Sequence, residues 1–561
     1  MNESQIDLIE PDPRRRPWLV PLYASAITAT LLVAPMCFLG NPSGHDLQPH
    51  LASWMDIRGQ WGEGIWFPRW AEWSNFGFGE PRFIFYPPSS AMIGAALGSI
   101  LPWKVVPGIL FWLGLFAAGV CMYKLASDWL VLRQAVIAAV LFAANPYNVI
   151  VIYYRSAFAE LLAAALFPLM IWGIIRIARG EWKRTPLLAV VLAAIWLTNA
   201  PAGVIAGYTL IIVLVVCCGL RRDVRPVLPV AVSVAIGFGL AAFYIVPAWW
   251  EQRWIDLASM ISADGNPERN FLFSLNNHPD FLAFNWIVSG LAVSLMLLTG
   301  IAIALNLKRR QMRSDVCWPM AVLALVSSLL MFPVSTILWR HLPKLQFLQF
   351  PWRWLTVLTV AFAVLVASAA PVKSKFLLLV AVFICAAAVA LAIKVKWAGH
   401  DVPTVAEKFA SQAGYFATTN FQPIGSNRFA LEENAPLLRK VDESGDQVDA
   451  DELKLQIDRW SVEQKIFSVT SRRETLLALK LLNYPAWQVF IDGQSGRAQS
   501  FKGTGQVLVT VPAGNHRVEV SFRRTRDRTI GGVISIVSLI VLLTVTGTIW
   551  WRERSRKFRI T

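Results

Sequence analysis

Three short groups of ionisable residues stand out in an otherwise apolar chain, each beside a long hydrophobic run. Gly44-His45-Asp46 and His50 follow the first of these runs. A carboxylate with two imidazoles at that spacing can act as a general base or ligate a divalent cation. Asp46 can equally cap a helix that begins near Gln48 with Pro49 in its first turn, which would leave the histidines as interfacial side chains. In Tyr153-Tyr154-Arg155-Ser156-Ala157-Phe158-Ala159-Glu160 the two charges stand five apart at the start of a helix. Charge at membrane depth is expensive unless it is paired or faces water, so Arg155 and Glu160 either line a wet functional cavity or neutralise each other structurally.

Arg353, in Gln349-Phe350-Pro351-Trp352-Arg353-Trp354, presents a guanidinium that suits a phosphate or pyrophosphate oxygen. An interfacial aromatic belt with a snorkelling arginine explains the same residues. Lesser candidates are Arg69, Arg82 and Tyr86 in the first polar loop, Glu251 and Arg253 after Pro247, and Asn199 in the break Thr198-Asn199-Ala200-Pro201. Broken helices at membrane depth line cavities or are buried in protein, and Asn199 reads more readily as a structural hydrogen-bonder than as a ligand.

The elements that must position these residues are membrane helices. Hydrophobic residues make up 55% of the chain, charged residues 16%, and mean hydropathy is +0.49, outside the usual range of a soluble globular chain. Apolar stretches of about 20 residues, enough to cross a hydrocarbon core of roughly 30 Å, recur from end to end. The spacing predicts spans near 19–40, 106–126, 132–149, 157–177, 186–199, 202–219, 226–248, 283–305, 317–338, 352–370, 375–395 and 530–550, about 12 to 13 in all. Phe85 to Trp103, opened by Pro87-Pro88, reads as a juxtamembrane helix rather than a full crossing.

Lys and Arg total 52 against 36 acids, a net +16. The basic clusters lie in short gaps between apolar runs or at the chain ends, the bias of cytoplasmic loops, so nucleic acid is not the expected partner. All six cysteines fall in apolar stretches and read as small core or lipid-facing residues. Leu19 to Leu39 is too long for a signal-peptide core and reads as a retained first span behind Arg14-Arg15-Arg16, with both termini cytoplasmic. That topology makes 1–395 a transmembrane domain with a first outer loop at 41–105, 396–528 an outer domain, and 529–561 a terminal span with a basic tail. The outer tract alternates like strands from about 467, with turns at Asp492-Gly493 and Pro512-Ala513-Gly514, and predicts a small β-sandwich. Trp487 within it reads as sandwich core more readily than as a sugar-stacking surface residue, while 401–465 shows no clear period.

The shared order of Gly44-His45-Asp46, Phe85-Tyr86-Pro87-Pro88, Arg155 with Glu160, Phe243-Tyr244 with Pro247, Gln349-Phe350-Pro351-Trp352-Arg353, and Tyr484-Pro485-Ala486-Trp487 with Asp492-Gly493 and Val511-Pro512-Ala513-Gly514 resembles the GT-C class of membrane glycosyltransferases. Within it the chain is similar to bacterial YfhO-type proteins and to membrane proteins described as 6-pyruvoyl-tetrahydropterin-synthase-related, a description that does not by itself establish pterin chemistry. The resemblance implies an all-α polytopic enzyme of the bacterial inner membrane and cell envelope. It would pass a sugar, with inversion, from a polyprenyl-phosphate donor to an extracytoplasmic glycan, lipid or protein acceptor.

By that resemblance Asp46 matches a first-loop acid that serves as base or holds a metal, and Glu160 matches a second-loop acid. His45, His50, Arg69, Arg82, Tyr86, Arg155 and Arg353 would bind substrate, Arg155 and Arg353 stabilising the departing phosphate. A divalent metal, if used, would sit on Asp46, His45 and Glu160. The chain has no Trp-Trp-Asp-Tyr-Gly motif, which disfavours transfer to asparagine, and no Asp-x-Asp in the outer loops near the membrane, which leaves the metal open. A transporter or flippase of lipid-linked sugars, or a non-catalytic assembly protein of the cell envelope, would use the same cavity without Asp46 as a base.

Overall fold

Apolar sequence in runs of about 20 residues satisfies its backbone internally as helix, and the chain does so repeatedly between Leu19 and Lys394. A computed structural model describes residues 18–260, 265–275, 279–310, 315–369, 375–398, 401–411, 414–415, 421–442 and 453–558. Among these, eight helices are long and apolar enough to cross a membrane: Leu19–Leu39, Val106–Ala126, Leu132–Arg155, Phe158–Ala178, Ala200–Arg221, Phe281–Lys308, Pro351–Ala369 and Arg526–Arg552. Two bent pairs, Val227–Leu240 with Ala242–Trp254 at 72° and Cys317–Leu330 with Pro333–His341 at 91°, raise the number to ten. Ten of the twelve expected spans fall on these helices and bent pairs. The other two expected spans coincide with the 14-residue helix Thr185–Thr198 and the 20-residue helix Lys375–Lys394. Fourteen residues rise only about 21 Å, less than a bilayer core.

The helix after Tyr86-Pro87 is also short. It runs Pro88–Gly98, 11 residues or about 16 Å, too little to cross. It packs along Leu47–Gly62, the helix of the first polar loop, where Gly94 approaches Trp54 so closely that a Cβ would lie 2.5 Å from the indole. The loop's entrance is fastened to the far end of the helical domain: β1 (Asn41–Pro42) pairs antiparallel with β2 (Trp397–Ala398), and Ser43 Oγ donates to Asp401 Oδ2 at 2.8 Å.

The carboxy-terminal strands form two antiparallel sheets. Named in chain order, they are β3 (Leu438–Val441), β4 (Lys454–Ser461), β5 (Gln464–Ser471), β6 (Thr475–Leu482), β7 (Trp487–Ile491), β8 (Gln494–Ser495), β9 (Ala498–Ser500), β10 (Gln506–Val511) and β11 (Gly514–Phe522). One sheet has the order β3-β6-β10-β9 and the other β4-β5-β11-β7-β8. Inward positions alternate as a half-buried strand requires, with Leu477, Leu479 and Leu481 facing Val507, Val509, Val518 and Val520 in one core. Asp492 and Gly493 both take positive φ, 51° and 80°, in a two-residue hairpin turn of the type that Asp-Gly favours. The β-rich region begins earlier than 467, because β3, β4 and the start of β5 lie before it.

The sandwich grips the first loop. Trp70 is buried among Tyr484, Trp487 and Phe522, with ring centroids at 5.9, 5.5 and 5.7 Å, and Leu482 N–H donates to the Phe78 carbonyl at 2.9 Å. Trp487 is therefore core, as its sequence suggests, and not a surface platform. At the membrane end Glu251 accepts from Tyr484 Oη at 2.6 Å and from Arg528 Nε and Nη2 at 2.7 and 2.9 Å. One carboxylate thereby ties a broken helix, the sandwich and the last helix together.

Candidate active site

Gly44 is where the first loop meets the outer turn of the helical domain. A Cβ there would lie 2.5 Å from the Arg155 carbonyl carbon, so only glycine permits the approach. Behind it His45 N–H and Asp46 N–H donate to the carbonyls of Tyr154 and Arg155 at 3.4 and 2.9 Å. On the other side Ile150–Arg155 winds as a π-helix and Ser156 takes a left-handed backbone, φ 52°. Such wide turns and strained residues concentrate at functional sites. The wide turn carries Arg155 out of register with the straight helix and leaves Glu160 in the first turn of the next, Phe158–Ala164.

Asp46 occupies the N-cap position of Leu47–Gly62, yet its side chain makes no capping hydrogen bond. Instead Oδ2 lies 3.6 Å from Arg155 Nη2, and the carboxylate is 43% exposed. It opens into a cavity of about 710 Å³ that is also lined by His45, His50, Arg82, Tyr86, Arg155, Glu160 and Arg353. Eight of the nine site residues expected from the sequence therefore meet on one cavity. Arg69 does not: Nη2 donates to the Phe243 carbonyl at 3.0 Å and the guanidinium covers the Phe67 ring, which keeps it between the loop and a bent helix.

Glu160 is the most committed group in the cavity. Its Oε2 is 2.5 Å from Arg155 Nη1 and 3.4 Å from Arg353 Nε, and Tyr147 Oη donates to Oε1. Arg155 also lies face-on to Trp352 at 4.9 Å, and Arg353 Nη1 donates to the Leu348 carbonyl at 2.6 Å. Two arginines and two carboxylates, Asp46 and Glu160, form a neutral cluster in which only Asp46 is substantially exposed. Within it only Arg155–Glu160 is a buried pair, which is strongly destabilised when one member is removed.

Arg82 sits apart from that cluster. Its Nε donates to Glu80 Oε1 at 2.7 Å and Nη1 to Ser53 Oγ at 3.2 Å, while Nη2 is buried without a partner. Between the two groups His50 packs edge-on against Tyr86 and Phe158, at 5.9 and 5.2 Å. Burial, with Arg82 and Arg155 nearby, lowers the imidazole to about 4 against the pull of Asp46, so His50 is a neutral donor and acceptor at physiological pH. Burial likewise raises the Tyr86 phenol well above its ordinary value.

A metal does not fit the residues named for it. Glu160 is occupied by two guanidinium groups and a phenol, which leaves His45 and Asp46 as the remaining members of that set. Among the described residues no group of three or more His, Cys, Asp or Glu side chains is placed to hold one.

Sequence reasoning missed the supporting residues. Tyr147 belongs to the Asn145-Pro146 helix start, where Asn145 Oδ1 accepts from Asn148 N–H, and that signal was legible. Trp352 as the platform for Arg155, and Glu80 as the anchor of Arg82, carry no local signal because their partners are distant or in an irregular turn. Asn199 caps Ala200–Arg221 by accepting from Ala202 N–H at 2.8 Å, the structural role expected of it, and also lines the cavity.

A family model described as a 6-pyruvoyl-tetrahydropterin synthase related domain, membrane protein, matches residues 83–398. This is more than half of the chain and takes in Arg155, Glu160 and Arg353, while Asp46, His50 and Arg82 precede it. No curated protein matches the chain.

Proposed function

We propose that this chain, which belongs to the 6-pyruvoyl-tetrahydropterin synthase related family of membrane proteins, is an inverting glycosyltransferase. In this reading it takes a sugar from a polyprenyl-phosphate donor and passes it to an extracytoplasmic glycan, lipid or protein. The observation that carries the reading is Asp46: a carboxylate at an N-cap position that does not cap, half-exposed in a cavity whose other carboxylate is fully engaged. A fold gains nothing from holding an acid in that way, whereas a general base needs a carboxylate free to reach a substrate hydroxyl.

The chemistry follows from that placement. Asp46 accepts the proton of the acceptor hydroxyl as its oxygen attacks the anomeric carbon. The bond from that carbon to the phosphate oxygen breaks on the opposite face, and the lipid phosphate leaves with the electron pair. Its new charge is met by guanidinium groups in a partly dehydrated cavity, where fixed cations stabilise developing charge effectively. His50, neutral and walled by aromatic rings, suits a sugar hydroxyl. The Arg155–Glu160 pair holds the geometry. With this reading goes a bacterial inner-membrane location in which both termini are cytoplasmic and the cavity opens outward.

The test is transfer from a panel of polyprenyl-phosphate sugars to membrane-derived acceptors by the purified chain, with and without chelator. Turnover that disappears in Asp46→Asn, with labelled lipid-sugar still bound, supports the reading. Full turnover in that variant removes Asp46 as the base. Binding of lipid-sugar with no donor consumed by the wild type would replace the enzyme with a transporter or an envelope assembly protein.

A further inference from the structure

The cavity presents two kinds of guanidinium. Those of Arg155 and Arg353 share Glu160, and Arg155 also faces Asp46; although Arg353 Nε makes no hydrogen bond, both carboxylates line the cavity with these arginines, so this wall is electrically balanced where a ligand would meet it. Arg82 is paired as well, but its partner is placed differently. Glu80 is fully buried and, unlike Arg82, does not line the cavity, so the cation of this pair borders the ligand space without its carboxylate, while its guanidinium also packs over the Tyr415 ring at 5.6 Å. Of the Arg82 nitrogens, Nε and Nη1 are used by Glu80 and Ser53, and Nη2 is buried with no hydrogen bond. A buried N–H of a cation left unpaired costs more than a hydrogen bond returns, so a ligand that supplies the acceptor gains by binding there.

From this we infer that Arg82 is the phosphate subsite of the cavity: its Nη2 receives a phosphate oxygen, flanked by Ser53, His50 and Tyr86, while Arg155 and Arg353 hold the opposite wall. The inference rests on the donor reading above for the source of the phosphate, and reverses the roles that the resemblance implies for the arginines. Glu80 is a positioning residue. It is itself fixed by backbone pairing of Ala71 with Glu80 in both directions, at 2.8 and 3.1 Å, and by Asn75 Nδ2 at 3.4 Å from Oε2. Ala71 follows Trp70, the residue seated in the sandwich core, so docking of the sandwich bears on the isolated Ala71–Glu80 bridge that positions Glu80 beside Arg82. Gly79 is required there, since a Cβ would collide with the Trp70 indole.

The experiment measures binding to the full-length chain in lipid nanodiscs of three probes: polyprenyl monophosphate, uncharged polyprenol and inorganic phosphate. It compares wild type with the Glu80→Gln, Arg82→Gln double variant, which removes both charges and keeps the shape. One charge-assisted hydrogen bond corresponds to roughly tenfold or more in affinity. The expected result is a preference of the wild type for polyprenyl monophosphate over polyprenol of about tenfold, which the double variant loses. If the double variant fails to fold, Arg82→Lys, which keeps the ion pair and lacks Nη2, takes its place with the same expectation. Inorganic phosphate bound through Arg82 without any lipid-phosphate preference would keep the subsite and remove the lipid donor. An unchanged preference in the variants, or no phosphate binding by the wild type, overturns the subsite.

Discussion

Asp46 and Arg155 meet twice: the backbone N–H of the acid donates to the carbonyl of the arginine at 2.9 Å, and the side chains face each other at 3.6 Å. The first contact fixes where the loop docks, and the second leaves the carboxylate loosely held, beyond hydrogen-bond distance. Asp46→Asn is therefore expected to change thermal stability by no more than about 1 kcal/mol, since a half-exposed pair contributes little. Loss of a general base costs about a hundredfold or more in turnover. Parallel unfolding curves with collapsed transfer rates are the expected outcome, and a large drop in stability would mark Asp46 as structural.

Glu160→Gln is expected to do the opposite first. It strands Arg155 and Arg353 in a buried site, and breaking a buried ion pair costs about 3 to 5 kcal/mol. Thermal unfolding in detergent reads this directly; a variant as stable as wild type would show that the cluster is not the keystone described here.

Gly44→Ala places a methyl group against the Arg155 backbone, which has nowhere to move without shifting the π-helix. Asp46 and Arg155 should separate, and transfer should fall by more than the accompanying loss of stability accounts for. A structure of the variant, or restored turnover in a chain that repacks Ser156, checks the displacement.

Acid should destabilise the chain through His50. Its imidazole is lowered from 6.5 to about 4 by burial, so between those values the unfolded state binds the proton and the folded state does not. Stability is then complete above about pH 6.5 and declines toward pH 4, by up to the order of 3 kcal/mol. His50→Gln should flatten that limb of a stability-pH curve. Asp56, fully buried on the same helix and accepting from Gln60 at 2.8 Å, runs the other way. Burial raises it from 3.8 to about 8, so its stabilisation is present at low pH and lost as pH rises to about 8. Asp56→Asn should abolish that alkaline decline.

Trp70→Ala removes the side chain that the sandwich closes upon. Truncating a buried tryptophan costs about 3 to 5 kcal/mol. The expected readout is protease sensitivity of the linker ahead of β3 together with weaker phosphate binding; intact docking would mean that the other contacts, such as Lys465 with Glu72 at 3.1 Å, suffice.

How much was legible in the chain follows the range of the forces involved. Hydropathy is summed over contiguous residues, so the membrane class and most of the long helices could be read directly. The strands β6, β7, β10 and β11 were legible from their short apolar and β-branched runs set between turn residues. The edge strands β3 and β4 were not: β3 is four residues long and β4 is exposed along nearly all its length, so neither shows a period. Apolar runs do not reveal where a helix bends or stops, as in the two bent pairs and the 14 residues of Thr185–Thr198.

For the site, residue type and proximity to a helix exit pointed to Asp46, Arg155, Glu160 and Arg353, since charge beside apolar sequence needs a reason. Only the tertiary structure decided which charges are spent. Glu160 is taken up by hydrogen bonds from Arg155 and Tyr147, with Arg353 drawn to 3.4 Å from 193 residues away, and Asp46 keeps its freedom because the turn is geometrically complete without it. Arg82, held by Glu80, keeps one buried nitrogen without a hydrogen bond. Pairing is a property of distances in space, and a sequence records only which partners exist.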